Sequence, residues 1–283
     1  MDNKISRFLN GSLMLLAVLG LTTASFLPQF SEQAEAVTYG EEIVDASTSK
    51  PWVASIWFAY EGDEYMSFIC SGSLIRNDIV LTAAHCVEEP GEYAVQLRAD
   101  TLNEDWLFIY SAAEWSSPRY DKRKLQNDIG LIQLDTPVED FSPIKVAGKK
   151  SLKKVDSLKR FKLYGWGEDQ NGEEADFLRF ANLNSQTAAA KRAYSSKWFN
   201  EKTTIAAGRY FKNEKVYSGA CNGDSGSPLT ARIGGEEVLV GITSYGAESC
   251  RSKVPSVFTK VPYYEKDIRQ GIKVVRAKAA LNQ

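Results

Sequence analysis

Ten short runs of β-branched and aromatic residues, each closed off by turn-forming residues, constrain the fold of this chain more than any other feature. Six come first, at 52–58, 73–75, 79–81, 93–97, 107–110 and 130–134, and four follow, at 161–164, 178–181, 238–242 and 257–261. Regular spacing of this kind predicts an antiparallel sandwich or barrel rather than βαβ units. Helical signals are confined to Thr187–Trp198 and to the segment from Tyr263 onward, and no internal repeat or low-complexity tract is present. Between the two sets of strands, 149–160 is basic and polar and reads as a solvated connection, with a heparin-like binding patch as the alternative.

The N-terminus is set aside from this count. Lys4 and Arg7 precede an apolar run from Leu13 to Leu21, and Ala34-Glu35-Ala36 supplies the small-x-small pattern after which a signal peptidase cuts. The alternative, a retained membrane anchor, fits a run interrupted by Asn10, Gly11, Thr22, Thr23 and Pro28 less well. The expected mature chain is 37–283, or 283 − 36 = 247 residues, exported and without a stable membrane span. Four cysteines in an exported chain favour two disulfides, and their positions leave three pairings open.

Composition narrows the function. With 34 Lys+Arg against 36 Asp+Glu the net charge is −2, which argues against nucleic acid as a partner. Six Trp, 13 Tyr and 13 Phe exclude intrinsic disorder. The single histidine excludes a His-rich metal cluster, and any chemistry that needs an imidazole must use His85.

Three stretches carry chemistry. Leu81-Thr82-Ala83-Ala84-His85-Cys86 holds the imidazole, Asn127-Asp128-Ile129-Gly130 puts an acid at the mouth of an apolar run, and Gly223-Asp224-Ser225-Gly226-Ser227-Pro228 puts a serine in a glycine-rich turn. A serine hydroxyl is a weak nucleophile at neutral pH, so it needs a base, and the base needs a third group to fix its tautomer and stabilise its cation. Ser225, His85 and Asp128 can fill these roles in that order. The glycines let the backbone approach a reacting carbonyl, so that the N–H groups of Gly223 and Ser225 can point at a developing oxyanion.

Together with Cys70-Ser71-Gly72-Ser73-Leu74-Ile75, Gly165-Trp166-Gly167, Ser244-Tyr245-Gly246 and the closing Val257-Phe258-Thr259-Lys260-Val261, these stretches resemble the chymotrypsin/trypsin-like family of serine endopeptidases over nearly all of the mature chain. The His…Asp…Ser order is that family's, whereas an α/β-hydrolase would put the histidine last and would need a glycine where Ser227 stands. The resemblance implies an all-β fold of two six-stranded antiparallel β-barrels packed face to face with a C-terminal helix. It places the first barrel at about 37–148, the second at about 160–262 and the helix at 263–278. It implies disulfides Cys70–Cys86 and Cys221–Cys250. A cysteine usual in the family is replaced by Ala206, so a third disulfide is absent and its loop is expected to be softer.

The same resemblance implies polypeptide substrates, hydrolysis without cofactor or metal, a monomer, and susceptibility to protein inhibitors. It puts the pocket for the P1 side chain at Gly219, Ala220, Gly246 and Ser256, and lays the substrate along Ser244, Tyr245 and Gly246. None of the pocket positions is acidic, so an apolar P1 residue is expected. Arg251 and Lys253 border the pocket, which leaves an acidic P1 as the alternative. In the family a new amino terminus pairs with the acid next to the nucleophile, here Asp224. Val37, freed by export itself, and Ile43 are the two candidates, and Val37 leaves the longer arm, 51 − 37 = 14 positions against 51 − 43 = 8 to Pro51. A rival from another class is a binding protein on a protease fold that has lost catalysis.

Overall fold

A computed structural model describes residues 37–282 apart from 98–100, 103–107, 140–141, 174 and 248, so the expected leader over 1–36 lies outside the described residues. The first set of apolar runs forms six strands: β1 (Val53–Ala59), β2 (Ser67–Arg76), β3 (Ile79–Thr82), β4 (Glu92–Leu97), β5 (Phe108–Ser116) and β6 (Gly130–Leu134). They close into an antiparallel barrel in the order β1-β2-β3-β6-β5-β4, with β4 returning to β1. Closure removes the unpaired edges that an open sheet would expose. Its inside is filled by Ile56, Leu74, Val80, Val95 and Ile132, while Leu131, paired with Trp115, is on the opposite face of the sheet; none of these six aliphatic residues is measurably exposed.

The second set forms β7 (Arg160–Gly165), β8 (Arg179–Ser185), β9 (Thr204–Phe211), β10 (Pro228–Ile233), β11 (Glu236–Tyr245) and β12 (Ser256–Lys260). These run in the order β8-β7-β10-β11-β12-β9, and pairing of Asn184 with Gly208 closes β9 back on β8. Counted from its own first strand, each barrel joins its strands in the same pattern. Glu41–Glu42 pairs with β8 and Lys145–Val146 runs parallel to β11, so the chain on either side of the first barrel is fastened to the second. Both expected disulfides are formed, Cys70–Cys86 and Cys221–Cys250.

Seven of the strands are longer than the apolar runs that mark them, and two of the twelve have no counterpart among the runs. β9 is centred on Ala206-Ala207-Gly208, residues of poor β-propensity, and becomes a strand because neighbours on both sides pair with it. β10 starts on a proline, which is tolerated at the first residue of a strand. Ala206 is thus a fully buried strand residue packed with Ala190, Phe199 and Val257, and does not sit in a loop.

Helices also depart from expectation. A four-residue helical turn, Ala46–Ser49, precedes the first barrel, and α1 (Leu152–Ser157) lies within the stretch expected to be a solvated connection; it turns Val155 inward while its lysines face solvent. The next, α2 (Thr187–Ala193), stops short of Trp198, because Tyr194 is extended and its hydroxyl donates to the Pro255 carbonyl. The last, α3 (Glu265–Leu281), is the C-terminal helix. It follows β12 yet packs on β5 and β6 of the first barrel through Ile268, Ile272, Val275 and Ala279, a stripe at helical spacing. Arg276 to Asp78 and Arg119 to Asp267 tie its flanks down.

Gly271 sits where α3 crosses that barrel. A Cβ there would come within 2.7 Å of the Trp115 ring and 2.8 Å of Leu131. Gly271→Val is therefore expected to lower stability by about 1–3 kcal/mol through overpacking, measured by urea unfolding.

Candidate active site

His85 and Asp128 are neighbours because β3 and β6 are antiparallel, with Thr82 paired to Gly130. The chain leaves β3 into the single 3₁₀ turn Ala84–Cys86, and Asp128 precedes β6 by two residues, so both lie at the same end of the barrel. A side chain at 130 would spoil this, since a Cβ would lie 2.6 Å from the Ala83 carbonyl oxygen. Asp128 is wholly buried. Its Oδ1 accepts from the His85 backbone N–H at 3.1 Å, and its Oδ2 lies 2.9 Å from His85 Nδ1. A carboxylate can only accept, so Nδ1 carries the proton and Nε2 is the ring's free lone pair.

The second barrel completes the support. Ser244 Oγ donates to Asp128 Oδ2 at 2.6 Å, and Thr259 Oγ1 donates to the Asp128 carbonyl at 2.8 Å. Ser244 reaches inward because β11 and β12 slip register between Thr243 and Tyr245, which leaves Ser244 as the bulged residue. Its hydroxyl therefore serves Asp128, and only its backbone can serve a substrate. Burial alone would depress the His85 pKa, but the hydrogen bond and charge of Asp128, with a smaller contribution from Glu88, outweigh it and raise the value above the ordinary imidazole range. The stability gained from this pair is complete below about pH 6.5 and is lost as pH rises through the raised folded value.

Ser225 is delivered to the same place by close backbone contact. Its carbonyl accepts from the Ser71 N–H at 2.7 Å, and Ser71 Oγ donates to the Gly223 carbonyl. Ser71 adjoins Cys70, whose disulfide partner Cys86 adjoins His85, so Ser225 and the imidazole hang from one point of β2. Gly226 has a φ of 78°, and a Cβ there would stand 2.1 Å from Thr82 Oγ1 and 2.2 Å from the Ser71 carbonyl oxygen. Gly223 has a φ of 84°. The turn bonds the N–H groups of Asp224, Gly226 and Ser227 internally or to β11, and among the described residues those of Gly223 and Ser225 have no partner. Two N–H groups left open beside a serine can hold an anionic oxygen.

Asp224 points away from this turn into the protein. Its carboxylate accepts from the N–H groups of Gly167 and Cys221, each at 2.9 Å, with no exposure to solvent. Gly165 and Gly167, on one face of the chain leaving β7, make room: a Cβ at 165 would lie 2.0 Å from Asp224 Oδ1 and one at 167 would lie 2.4 Å from its Cγ. Burial pushes the Asp224 pKa up to about 7, the two backbone donors oppose this, and Glu168 adds to it. Val37, also without exposure, donates its N–H to the Gly167 carbonyl at 3.3 Å. Val37 and Asp224 thus grip the two ends of one residue. Thr38 extends the contact, its Oγ1 both accepting from the Gly219 N–H at 2.8 Å and donating to the Gly219 carbonyl at 3.1 Å.

The four pocket positions also converge. Ser256 Oγ accepts from the Ala220 N–H at 3.0 Å, would be 2.4 Å from a Cβ at 219 and would be 3.8 Å from one at 246. Tyr245 stands beside them, its ring edge-on to Tyr194 and its hydroxyl donating to the Trp198 carbonyl. Sequence reasoning did not reach the hydroxyls of Ser71 and Thr259, which bond one barrel to the other, or that of Thr82, which donates to the Ser71 carbonyl within the first barrel; a buried hydroxyl in a strand has no distinguishing pattern. The Gly165 and Gly167 spacing did carry a signal, because two glycines two residues apart leave one face of an extended chain open.

Comparison with known proteins agrees with this geometry. Residues 40–268 match the family described as Trypsin. The chain is 32% identical to Chymotrypsin-C of Rattus norvegicus over 93% of its own length and 99% of that protein. It is 34% identical to Chymotrypsin of Phaedon cochleariae over 70% of each chain, and 27% identical to Trypsin iota of Drosophila melanogaster over 75% of its own length and 79% of the other's.

Because His85 is the only histidine, its titration is read by NMR as a single imidazole signal. Its midpoint is expected above about 6.5, and Asp128→Asn is expected to lower it, since only the smaller effect of Glu88 then opposes the desolvation of the ring.

Proposed function

We propose a reaction, residue by residue, for this chain, which belongs to the trypsin family of serine proteases and is a serine endopeptidase. Ser225 Oγ attacks the scissile carbonyl carbon while His85 Nε2 takes its proton. The tetrahedral oxyanion is held by the N–H groups of Gly223 and Ser225. His85 then protonates the leaving amine, and the resulting acyl-enzyme is cleaved by a water that His85 deprotonates in turn. Asp128 keeps the proton on Nδ1 and stabilises the imidazolium. The observation that carries this reading is the double hold of the Asp128 carboxylate on the backbone N–H and Nδ1 of His85. It fixes the ring in the tautomer whose basic nitrogen is the free one.

The pocket of Gly219, Ala220, Gly246 and Ser256 accepts an apolar P1 side chain, since it offers one hydroxyl and no carboxylate for a cationic one. Export removes residues 1–36, and the freed Val37 ammonium turns from the Gly167 carbonyl to the Asp224 carboxylate. Two features support Val37 over Ile43. Its side chain is buried with Leu163, Leu229 and Phe258, and its φ of 51° is costly for a β-branched residue only while a preceding carbonyl defines that angle. Secretion also fits the two disulfides.

Three outcomes are expected. A fluorophosphonate labels Ser225 in the purified exported protein, and mass spectrometry finds Val37 at the N-terminus; a folded protein that is never labelled would favour the non-catalytic rival. His85→Ala reduces kcat by roughly 10⁴-fold or more, because no second imidazole exists. The leader-bearing form loses stability as pH rises from about 4 to about 7, since buried Asp224 holds its proton up to about 7 whereas the unfolded chain releases it near 4. Thermal melts across this range show the slope in the leader-bearing form and a weaker one once Val37 is free.

A further inference from the structure

Tyr39 occupies a backbone conformation that suits glycine, with a φ of 57°. A bulky residue persists in the left-handed region where its surroundings over-determine it. Here the ring of Tyr39 lies 4.5 Å from that of Phe211, its N–H donates to Gln170 Oε1 at 3.2 Å, and its hydroxyl donates to Glu214 Oε2. The same oxygen of Glu214 accepts from Arg251 Nη2 at 3.0 Å. One carboxylate oxygen therefore joins three segments: the arm that begins at Val37, the turn between β9 and Val216–Ser218, and the loop after Cys250.

That loop is the rim of the P1 pocket. Arg251 follows Cys250, whose Cα is 5.1 Å from that of Cys221, and Cys221 follows the pocket residue Ala220. The Ser252 carbonyl accepts from the Tyr217 N–H at 2.8 Å, which places Arg251 beside the strand leading to Gly219. Inside, the pocket has glycines, an alanine and a serine, and no anion for a guanidinium to meet. A guanidinium presents five donors and pairs bidentately with a carboxylate. Glu168 Oε2, 3.3 Å from Cys250 Sγ, is already held by Asn222 Nδ2 at 2.8 Å, so Arg251 released from Glu214 would be open to the carboxylate of an acidic P1 side chain.

We infer that Glu214 sets the P1 preference of this enzyme, holding the Arg251 guanidinium on the arm side of the rim so that acidic P1 residues find no cation, with Tyr39 as the group that anchors Glu214. Glu214 and Tyr39 are positioning residues, because neither touches the substrate. The inference rests on the reading of the P1 pocket given above and extends it: the segment that completes the active enzyme also fixes its selectivity. Lys253, the other cation of the loop, is exposed.

The test uses the exported, mature enzyme and a set of peptides that differ only at P1, carrying Leu, Phe or Glu. Wild type is expected to cut after Leu and Phe. In Glu214→Gln the ratio of kcat/KM for Glu over Leu rises by about two- to fivefold, the order expected for one charge pair as exposed as Arg251. The gain lies in KM, and it fades in 1 M salt, which screens an exposed pair over a few ångströms. Tyr39→Phe gives a smaller rise, and the double variant Glu214→Gln, Arg251→Gln returns to the wild-type ratio. An active wild type that already favours Glu, or a Glu214→Gln enzyme with an unchanged ratio, would overturn this inference alone. A wild type inert on every peptide and unlabelled by a fluorophosphonate would overturn the reading of the site, and this inference with it.

Discussion

A carboxylate with no solvent exposure, Asp128, sits where the two barrels meet, and the arrangement of both depends on satisfying it. Removing a partner from a buried charge costs roughly 3–5 kcal/mol, so its donors are bound to stay in place. Two of those donors are on His85, from the first barrel, and a third is Ser244, from the second, with Thr259 on the adjacent carbonyl. The acid thus orients an imidazole and aligns two independently closed sheets in one step. A second buried carboxylate, Asp224, does the corresponding task for the serine turn, with backbone donors at Gly167 and Cys221. The site is framed by two acidic side chains kept from water, one facing the imidazole and the other facing the N-terminal arm.

Close approach of backbones makes this framing rigid. Gly226 against Ser71 and Thr82, Gly130 against Ala83, and Gly165 and Gly167 against Asp224 are contacts that a methyl group would occupy. At each of them one segment lies directly on another, and the positions of Ser225, His85 and Asp128 follow from strand ends and disulfides rather than from mobile side chains. The topology adds its own constraint. Segments flanking the first barrel, Glu41–Glu42 and Lys145–Val146, are strands of the second, and α3 returns from the second barrel to the first. The barrels are laced together at several points.

Much of this was legible before any coordinates. Strand-forming runs at 52–58, 79–81, 93–97, 130–134, 161–164 and 257–261 each lie on a strand, because half-buried and buried strands concentrate β-branched and aromatic residues. The stripe at 268, 272, 275 and 279 likewise marks α3. What was missed shares a physical cause. β9 carries Ala-Ala-Gly and is a strand only because β8 and β12 pair with it, and α1 hides one apolar residue in a basic stretch. The role of the Ser244 hydroxyl is likewise hidden, because a one-residue bulge turns it onto Asp128. None of these depends on the residue's own preference; each is imposed by a neighbour distant in the chain.

The sequence by itself determined the chemical groups and their local settings. One histidine beside a cysteine, an acid at the mouth of a strand and a serine between glycines are all short-range patterns, and short-range sterics and reactivity specify them. Tertiary structure alone decided which groups meet. Ser71 and Ser225, Thr82 and Gly226, Val37 and Gly167, and Tyr39 and Arg251 on one oxygen of Glu214 are partners far apart in sequence. Such pairings arise when closed sheets bury their apolar faces and must then pair every polar atom trapped between them, and a local pattern holds no record of that.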